Sequence, residues 1–97
     1  MRDNTLQSAK GVATLKKVKL YALSTCGWCK KTKRFLDDHN VDYEYEYVDL
    51  LTGAERARCM AEVDRWNPGR TFPTVVVDDK EVVVGFKEDR LREVLRL

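Results

Sequence analysis

Apolar positions return along this chain with two different periods, and the changes of period mark out its elements. Lys17 to Leu23 is short and mostly apolar, which predicts a buried strand. From Cys26 to about Asn40, the residues Cys29, Thr32, Phe35, Leu36 and His39 recur at spacings of three and four, which predicts a helix. Val41, Tyr43, Tyr45 and Tyr47 then alternate with Asp42, Glu44, Glu46 and Val48. That period of two predicts a strand over Val41 to Asp49 with its aromatic residues on one face. Thr52, followed three residues later by Glu55, has the form of a capping box. The helix it opens turns Cys59, Met60, Val63 and Trp66 toward one side and stops at Asn67-Pro68-Gly69. Two β-branched runs, Thr74 to Val77 and Glu81 to Val84, flank Asp78-Asp79-Lys80 and predict a hairpin with a tight turn. A last helix begins near Lys87, with Leu91, Val94 and Leu95 facing inward.

The element order is therefore β-α-β-α-β-β-α. The first two strands flank a helix, so they form a right-handed parallel crossover, and the last two are antiparallel. The expected architecture is an α/β fold, a mixed four-stranded sheet with helices on its faces. Residues 1–14 are polar, with isolated apolar positions and no period. They are expected to be a mobile extension, with a short extra helix as the alternative, and residues 15–97 to be the folded domain.

Composition narrows the class without naming a function. The 97 residues suit one domain, and the net charge of +2 supplies no strong field. Nothing in that balance calls for nucleic acid or an anionic membrane, and the tyrosines of the second strand alternate with acids, which suits sheet packing better than base stacking. No apolar run approaches the ~18 residues of a membrane span, and the N-terminus lacks the apolar core of a signal peptide. Three cysteines are an odd number, which argues against a secreted disulfide scaffold. A reducing, cytoplasmic setting and a monomer are the expectations.

The chemistry is concentrated in Cys26-Gly27-Trp28-Cys29, at the junction of the first strand and first helix. A C-x-x-C in that place is a redox-active dithiol motif. The attacking species in disulfide exchange is the thiolate, and the start of a helix offers free N–H groups and the positive end of the macrodipole. Cys26 is placed there and becomes the nucleophile; Cys29, one turn further in, becomes the resolving thiol. Their spacing also permits a Cys26–Cys29 disulfide. Lys30, Lys31, Lys33 and Arg34 follow at once, although cations in a first turn oppose the dipole. Either they form a solvated face, or some of them, Lys30 first, support the thiolate or steer an acidic partner.

Other polar and aromatic positions have plainer readings. Cys59 lies on an apolar stripe and reads as a core thiol, with a regulatory or dimer-forming thiol as the alternative. His39 reads as a C-terminal dipole partner or a surface residue. A zinc site from Cys26, Cys29, Cys59 and His39 has enough ligands but lacks paired spacing in its second half, so no metal is expected. Trp28 is expected to be exposed, contacting a partner or covering the dithiol. Trp66 is read either as core or as part of the rim. Pro73 removes a ladder donor and so belongs at a strand start or edge. On the base rate for X–Pro bonds alone, about 5–6% cis, it would be trans.

Three stretches in order, Cys26-Gly27-Trp28-Cys29, Arg70-Thr71-Phe72-Pro73-Thr74-Val75 and Gly85-Phe86-Lys87-Glu88-Asp89, resemble the glutaredoxin branch of the thioredoxin superfamily. The resemblance runs from about Lys17 to the C-terminus. It implies a thioredoxin-like fold, a cis Pro73 packed against the dithiol, and a Phe72 backbone that pairs with an extended thiol substrate. It also implies a substrate site drawn from Gly27, Trp28, Arg70, Thr71, Phe72, Pro73, Gly85, Phe86 and Asp89, with Gly85 letting the chain pass close to the substrate.

The departures from the family pattern bear on the partner. Glutathione-using members usually carry Lys or Arg where this chain has Leu23, and Gly-Gly where it has Gly85-Phe86. Gly-Phe followed by a basic residue looks more like the glutaredoxin-like redoxins that reduce ribonucleotide reductase and take electrons from thioredoxin reductase. The resemblance thus implies a dithiol oxidoreductase acting on protein disulfides, with a reductase of that type as its electron donor and no bound cofactor beyond its own redox disulfide. Arg70, Thr71 and Asp89 fit the glutathione pattern, so a glutathione-dependent glutaredoxin remains an alternative. Gly27-Trp28 lacks the inner proline, which keeps open a second alternative, an iron–sulfur cluster held through the first cysteine and glutathione.

Overall fold

The computed structural model describes residues 17–97. The N-terminal extension expected over residues 1–14 lies outside them. The elements in order are strand β1 (Val18–Ala22), helix α1 (Gly27–Asp38), strand β2 (Glu44–Tyr47), a 3-10 turn (Val48–Leu50), helix α2 (Gly53–Trp66), strands β3 (Thr74–Val77) and β4 (Glu81–Val84), and helix α3 (Glu88–Leu95). The sheet order is β2-β1-β3-β4. β1 runs parallel to β2, with Leu20 opposite Tyr45, and antiparallel to β3, with Leu20 opposite Val75. β3 and β4 are antiparallel, with Val75 opposite Val83. This is the mixed four-stranded, thioredoxin-like sheet.

Strand alternation divides the core between the two faces. On one face, Val18, Leu20, Ala22, Val75, Val77 and Val83 meet Phe35 and Leu36 of α1 and Leu91, Val94 and Leu95 of α3. On the other, Tyr21 and Val76 meet Val48 and the α2 residues Cys59 and Val63. β3 is central and covered on both faces, which is why all of its four residues are buried. None of the described helices is long and apolar enough to cross a membrane.

Two local expectations need correction, and a third holds. The strand expected over Val41 to Asp49 is confined to Glu44–Tyr47, because β2 is an edge strand whose partner β1 offers only Lys19 to Ala22. Its N-terminal part is used instead to close α1. Asn40 takes φ 55°, its N–H donates to the Asp37 carbonyl at 3.1 Å, and the Val41 N–H donates to the Leu36 carbonyl at 3.0 Å. That is a Schellman cap. The capping box at Thr52 does not form: Thr52 is the N-cap but makes no side-chain cap bond, since Gly53 follows at φ 58° and turns the helix entry away from its hydroxyl. The hairpin turn is as tight as expected, with Asp78 and Asp79 both at positive φ and the Lys80 N–H donating to the Val77 carbonyl at 3.0 Å.

Candidate active site

β1 delivers the chain to the edge of the sheet core, and the Cys26 N–H donates back to the Leu23 carbonyl at 3.2 Å to turn it into α1. Cys26 is the N-cap of that helix, in extended geometry, so its sulfur faces the free N–H groups of the first turn. The Cys29 N–H donates to Cys26 Sγ at 3.2 Å. Burial alone would raise the Cys26 thiol, but hydrogen bonds from the Cys29 thiol and from the N–H groups of Cys29 and Trp28 outweigh it and hold the thiol below its ordinary range. Lys30 is exposed one residue beyond the pair, its N–H donating to the Cys26 carbonyl at 3.1 Å.

Cys29 has the opposite surroundings. It is 2% exposed, part of the cluster that includes Leu36 and Val75. Its pKa is pushed up to about 12, first by burial, then by its bond to Cys26, against a lowering by the Leu23 N–H, with smaller contributions from the negative charges of Cys26 and Asp49. The Leu23 N–H donates to its sulfur at 3.5 Å. One turn of helix therefore holds a half-exposed thiol that ionises readily and a buried one that does not.

The Phe72–Pro73 peptide bond is cis, against the base-rate expectation of trans and as the family resemblance implies. The Pro73 carbonyl accepts from the Gly85 N–H at 2.8 Å, which ties the start of β3 to the end of β4. A cavity of about 270 Å³ lies there, lined by Trp28, Phe72, Pro73, Gly85, Phe86 and Lys87. Trp28 is 59% exposed and stacks on Phe86, with centroids 6.2 Å apart and planes at 23°. Phe86 in turn meets Phe35 edge to face at 6.1 Å, so a line of aromatic rings runs from solvent into the core. Gly85 sits at φ 82°, which favours glycine, while a Cβ there would meet no protein atom within 4 Å.

The structure thus brings together Trp28, Phe72, Pro73, Gly85 and Phe86 and adds Lys87 to them. Gly27 adjoins Trp28 and Lys31 in a neighbouring concavity. Arg70, Thr71 and Asp89 are not in the lining of either. The Arg70 Nε donates to Asp64 of α2 at 3.1 Å, Thr71 is held by Asn67, and Asp89 is exposed in the first turn of α3. Trp66 resolves as a core-side residue, packed with Met60 against the α2 face of the sheet. Cys59 is wholly buried there, its thiol donating to Glu46 at 3.5 Å and raised to about 11 by burial and the neighbouring carboxylate. His39 caps α1, its ring against Phe35 and its Nδ1 2.8 Å from the Phe35 carbonyl. Among the described residues, no three His, Cys, Asp or Glu side chains converge as a metal site.

Two organising residues carry no motif. Asp49, in the turn after β2, accepts from the Ser24 N–H at 2.9 Å and from the Ser24 hydroxyl, and so clamps the loop that leads into Cys26. Asn67 is 8% exposed and donates from its amide to the Thr71 carbonyl at 3.0 Å and to the Thr71 and Thr74 hydroxyls at 3.1 Å. It knots the loop that presents Phe72 and Pro73. Asn67 was legible only as a helix stop, because its partners lie in the following loop; an asparagine is a strong clue only when it is seen to be buried.

A strand-to-helix dithiol and a cis-proline turn on a four-stranded mixed sheet together define a thioredoxin-like redox protein. The Glutaredoxin family model matches residues 18–82, and the chain belongs to that family of thiol–disulfide oxidoreductases. Methanoredoxin of Methanosarcina acetivorans is 48% identical, with TM-score 0.80 and 84% of this chain and 85% of that one covered. A glutaredoxin of Methanosarcina mazei Go1 is 51% identical, with TM-score 0.79 and coverage of 84% and 79%. The glutaredoxin-like NrdH-redoxin of Escherichia coli, a protein described as having a thioredoxin-like activity profile, is 26% identical, with TM-score 0.63 and coverage of 80% and 93%.

Proposed function

We propose that this protein reduces disulfides in other proteins by a two-thiol relay, in the cytoplasm, and is itself reset by a reductase of the thioredoxin-reductase type. The observation that carries this reading is the asymmetry of the pair: Cys26 is half exposed and favours the anion, whereas Cys29 is buried and protonated. Cys26 Sγ attacks one sulfur of the substrate disulfide. A bond forms between them, the substrate S–S bond breaks, and the departing sulfur leaves as a thiolate that takes a proton. The charge on Cys26 is then gone. That charge is one of the causes that keep Cys29 protonated, so its removal eases ionisation of Cys29. Cys29 attacks Cys26 Sγ, releases the second substrate thiol and leaves a Cys26–Cys29 disulfide. Two electrons have passed from the protein to its substrate.

Phe72 lies just outside the ladder, which starts at Thr74, and lines the groove, which supports a reading in which an extended substrate adds to its main chain. Leu23 and Phe86 stand where glutathione-using relatives carry a cation and a glycine, and Arg70, Thr71 and Asp89 do not line the groove. These features favour a protein electron donor over glutathione. Ribonucleotide reductase is a candidate substrate, supported by the likeness to the redoxin type. The test is turnover of one protein disulfide, driven either by NADPH with thioredoxin reductase or by glutathione with its reductase. Faster turnover with the first system is expected. Comparable or faster turnover with glutathione at physiological concentration overturns the choice of donor, and turnover with neither overturns the relay.

A further inference from the structure

The groove beside the dithiol is apolar along its floor and cationic at its rim. Trp28 separates two concavities. One, of about 440 Å³, is lined by Gly27, Trp28 and Lys31; the other, of about 270 Å³, is lined by Trp28, Phe72, Pro73, Gly85, Phe86 and Lys87. Lys31 Nζ lies 5.2 Å from the centroid of the Trp28 ring, and Lys87 borders the opposite side. Seven of the twelve described lysines and arginines other than Lys30, Lys31 and Lys87 are matched. Lys17, Lys19, Lys33, Arg58, Arg70, Arg90 and Arg92 each pair with a carboxylate. Within the described residues, Lys31 and Lys87 make no ion pair, and neither does the exposed Lys30 beside them. The nearest acid in sequence, Glu88, is held by Arg92 at 3.1 Å. A large exposed aromatic flanked by ammonium groups that make no ion pair among the described residues has the chemistry of a site for an apolar side chain with carboxylates beside it.

We infer that the rim of Lys31 and Lys87 about the Trp28–Phe86 stack selects an acidic segment of the substrate protein, with an apolar side chain beside its bridged cysteine. This deepens the proposed disulfide reductase activity and rests on it. The apolar side chain lies on Trp28 and Phe86, and flanking carboxylates meet the two lysines. Two concavities on either side of one ring suit an extended segment that crosses Trp28 better than a compact ligand seated on one side. The electron balance is unchanged: the dithiol passes two electrons to the peptide disulfide, which leaves as two thiols.

The test uses the full chain, reduced beforehand, and two peptide disulfides that are identical except that Glu or Lys flanks an apolar residue and the bridged cysteine. The second-order rate of oxidation is measured at low and at physiological salt. The acidic peptide is expected to react at least about tenfold faster at low salt, and the ratio to shrink as the screening length falls from about 30 Å to about 8 Å. The double variant Lys31→Glu, Lys87→Glu is expected to reverse the ratio, with Lys31→Gln, Lys87→Gln intermediate. Lys80→Glu, the same charge change in the β3–β4 turn, is expected to leave the ratio alone. Equal rates for the two peptides, or a preference that survives the double variant, overturn the inference. A small anionic disulfide such as oxidised glutathione that matches the acidic peptide overturns the extended segment. Failure of a neutral small disulfide to react at all instead overturns the activity on which the inference rests.

Discussion

The Cys29 thiol should be part of what makes Cys26 reactive, and replacing it tests that directly. Cys29→Ala removes the thiol that bonds to Cys26 while leaving the N–H groups of residues 28 and 29 in place. A hydrogen bond to a charged group contributes about 1.5–3 kcal/mol, and at a part-exposed sulfur, where water replaces some of the loss, the low end of about 1.5 kcal/mol is the appropriate figure. That is about a tenfold fall in thiolate at any pH below the Cys26 pKa. A more basic thiolate is also a better nucleophile, with a Brønsted slope of about 0.4–0.5, which returns roughly threefold. The net expectation is a rate about three- to fourfold lower at acidic pH and about threefold higher once Cys26 is fully ionised, so that the variant and wild-type profiles cross. The assay is the pH dependence of alkylation of the reduced protein by a neutral reagent. Cys29, at about 12, and Cys59, at about 11 and wholly buried, stay silent below about pH 9. Cys29→Ser keeps a donor and should track the wild type. Superimposable Ala and wild-type profiles, or a Ser variant that moves with Ala, would refute the reasoning.

Gly27→Pro should be tolerated and stabilise the protein by about 0.4–1 kcal/mol in denaturant unfolding, because residue 27 opens α1, its Cβ meets nothing within 4 Å, and Cys26 at ψ 122° already has the geometry a following proline requires. A loss of stability would show that the first turn needs the glycine. Asn67→Ala should cost about 2 kcal/mol by urea unfolding, since two amide N–H donors are lost to the Thr71 and Thr74 acceptors; Asn67→Asp should not rescue it, because a carboxylate cannot donate to the Thr71 carbonyl. Cys59 binds its proton more tightly folded, at about 11, than unfolded, near 8.5, so its contribution is complete below about pH 8.5 and is lost as pH rises toward 11. By pH 10 the reduced wild type should lose about 1.5–2 kcal/mol that Cys59→Ala does not lose, read as a difference in the pH slope of the urea midpoint; parallel slopes would count against it.

The parts of this fold visible in the sequence are those whose causes are local. The spacing of Cys29, Thr32, Phe35 and Leu36 marks the buried face of α1, and the β-branched runs around Asp78 and Asp79 mark the hairpin. The parts that were not visible depend on partners far along the chain. β2 stops at Tyr47 because β1 ends at Ala22, although the alternation of residues continues. Asp49 clamps a loop 25 residues away, and nothing in its own neighbourhood announces that. Thr52 and Glu55 satisfy the capping pattern, yet a single positive φ at Gly53 defeats it.

The same division holds within the dithiol. Its spacing and place at a helix start name two thiols and order them, and any strand-to-helix C-x-x-C would read alike. The difference between the two sulfurs comes from the fold. Cys29 is sealed in the cluster with Leu36 and Val75, from α1 and β3, and bonded by the Leu23 N–H just past β1, while Cys26 stays part-exposed at the start of α1. A motif can supply the nucleophile, but its protonation depends on which sulfur the sheet covers. The selection proposed above rests on Lys87 as well as Lys31; Lys87 lies in the third matching stretch yet stood outside the expected site, because only the fold puts both lysines in concavities that Trp28 also lines. The charge on the rim about Trp28 is therefore the quantity to vary in testing the proposed partner choice.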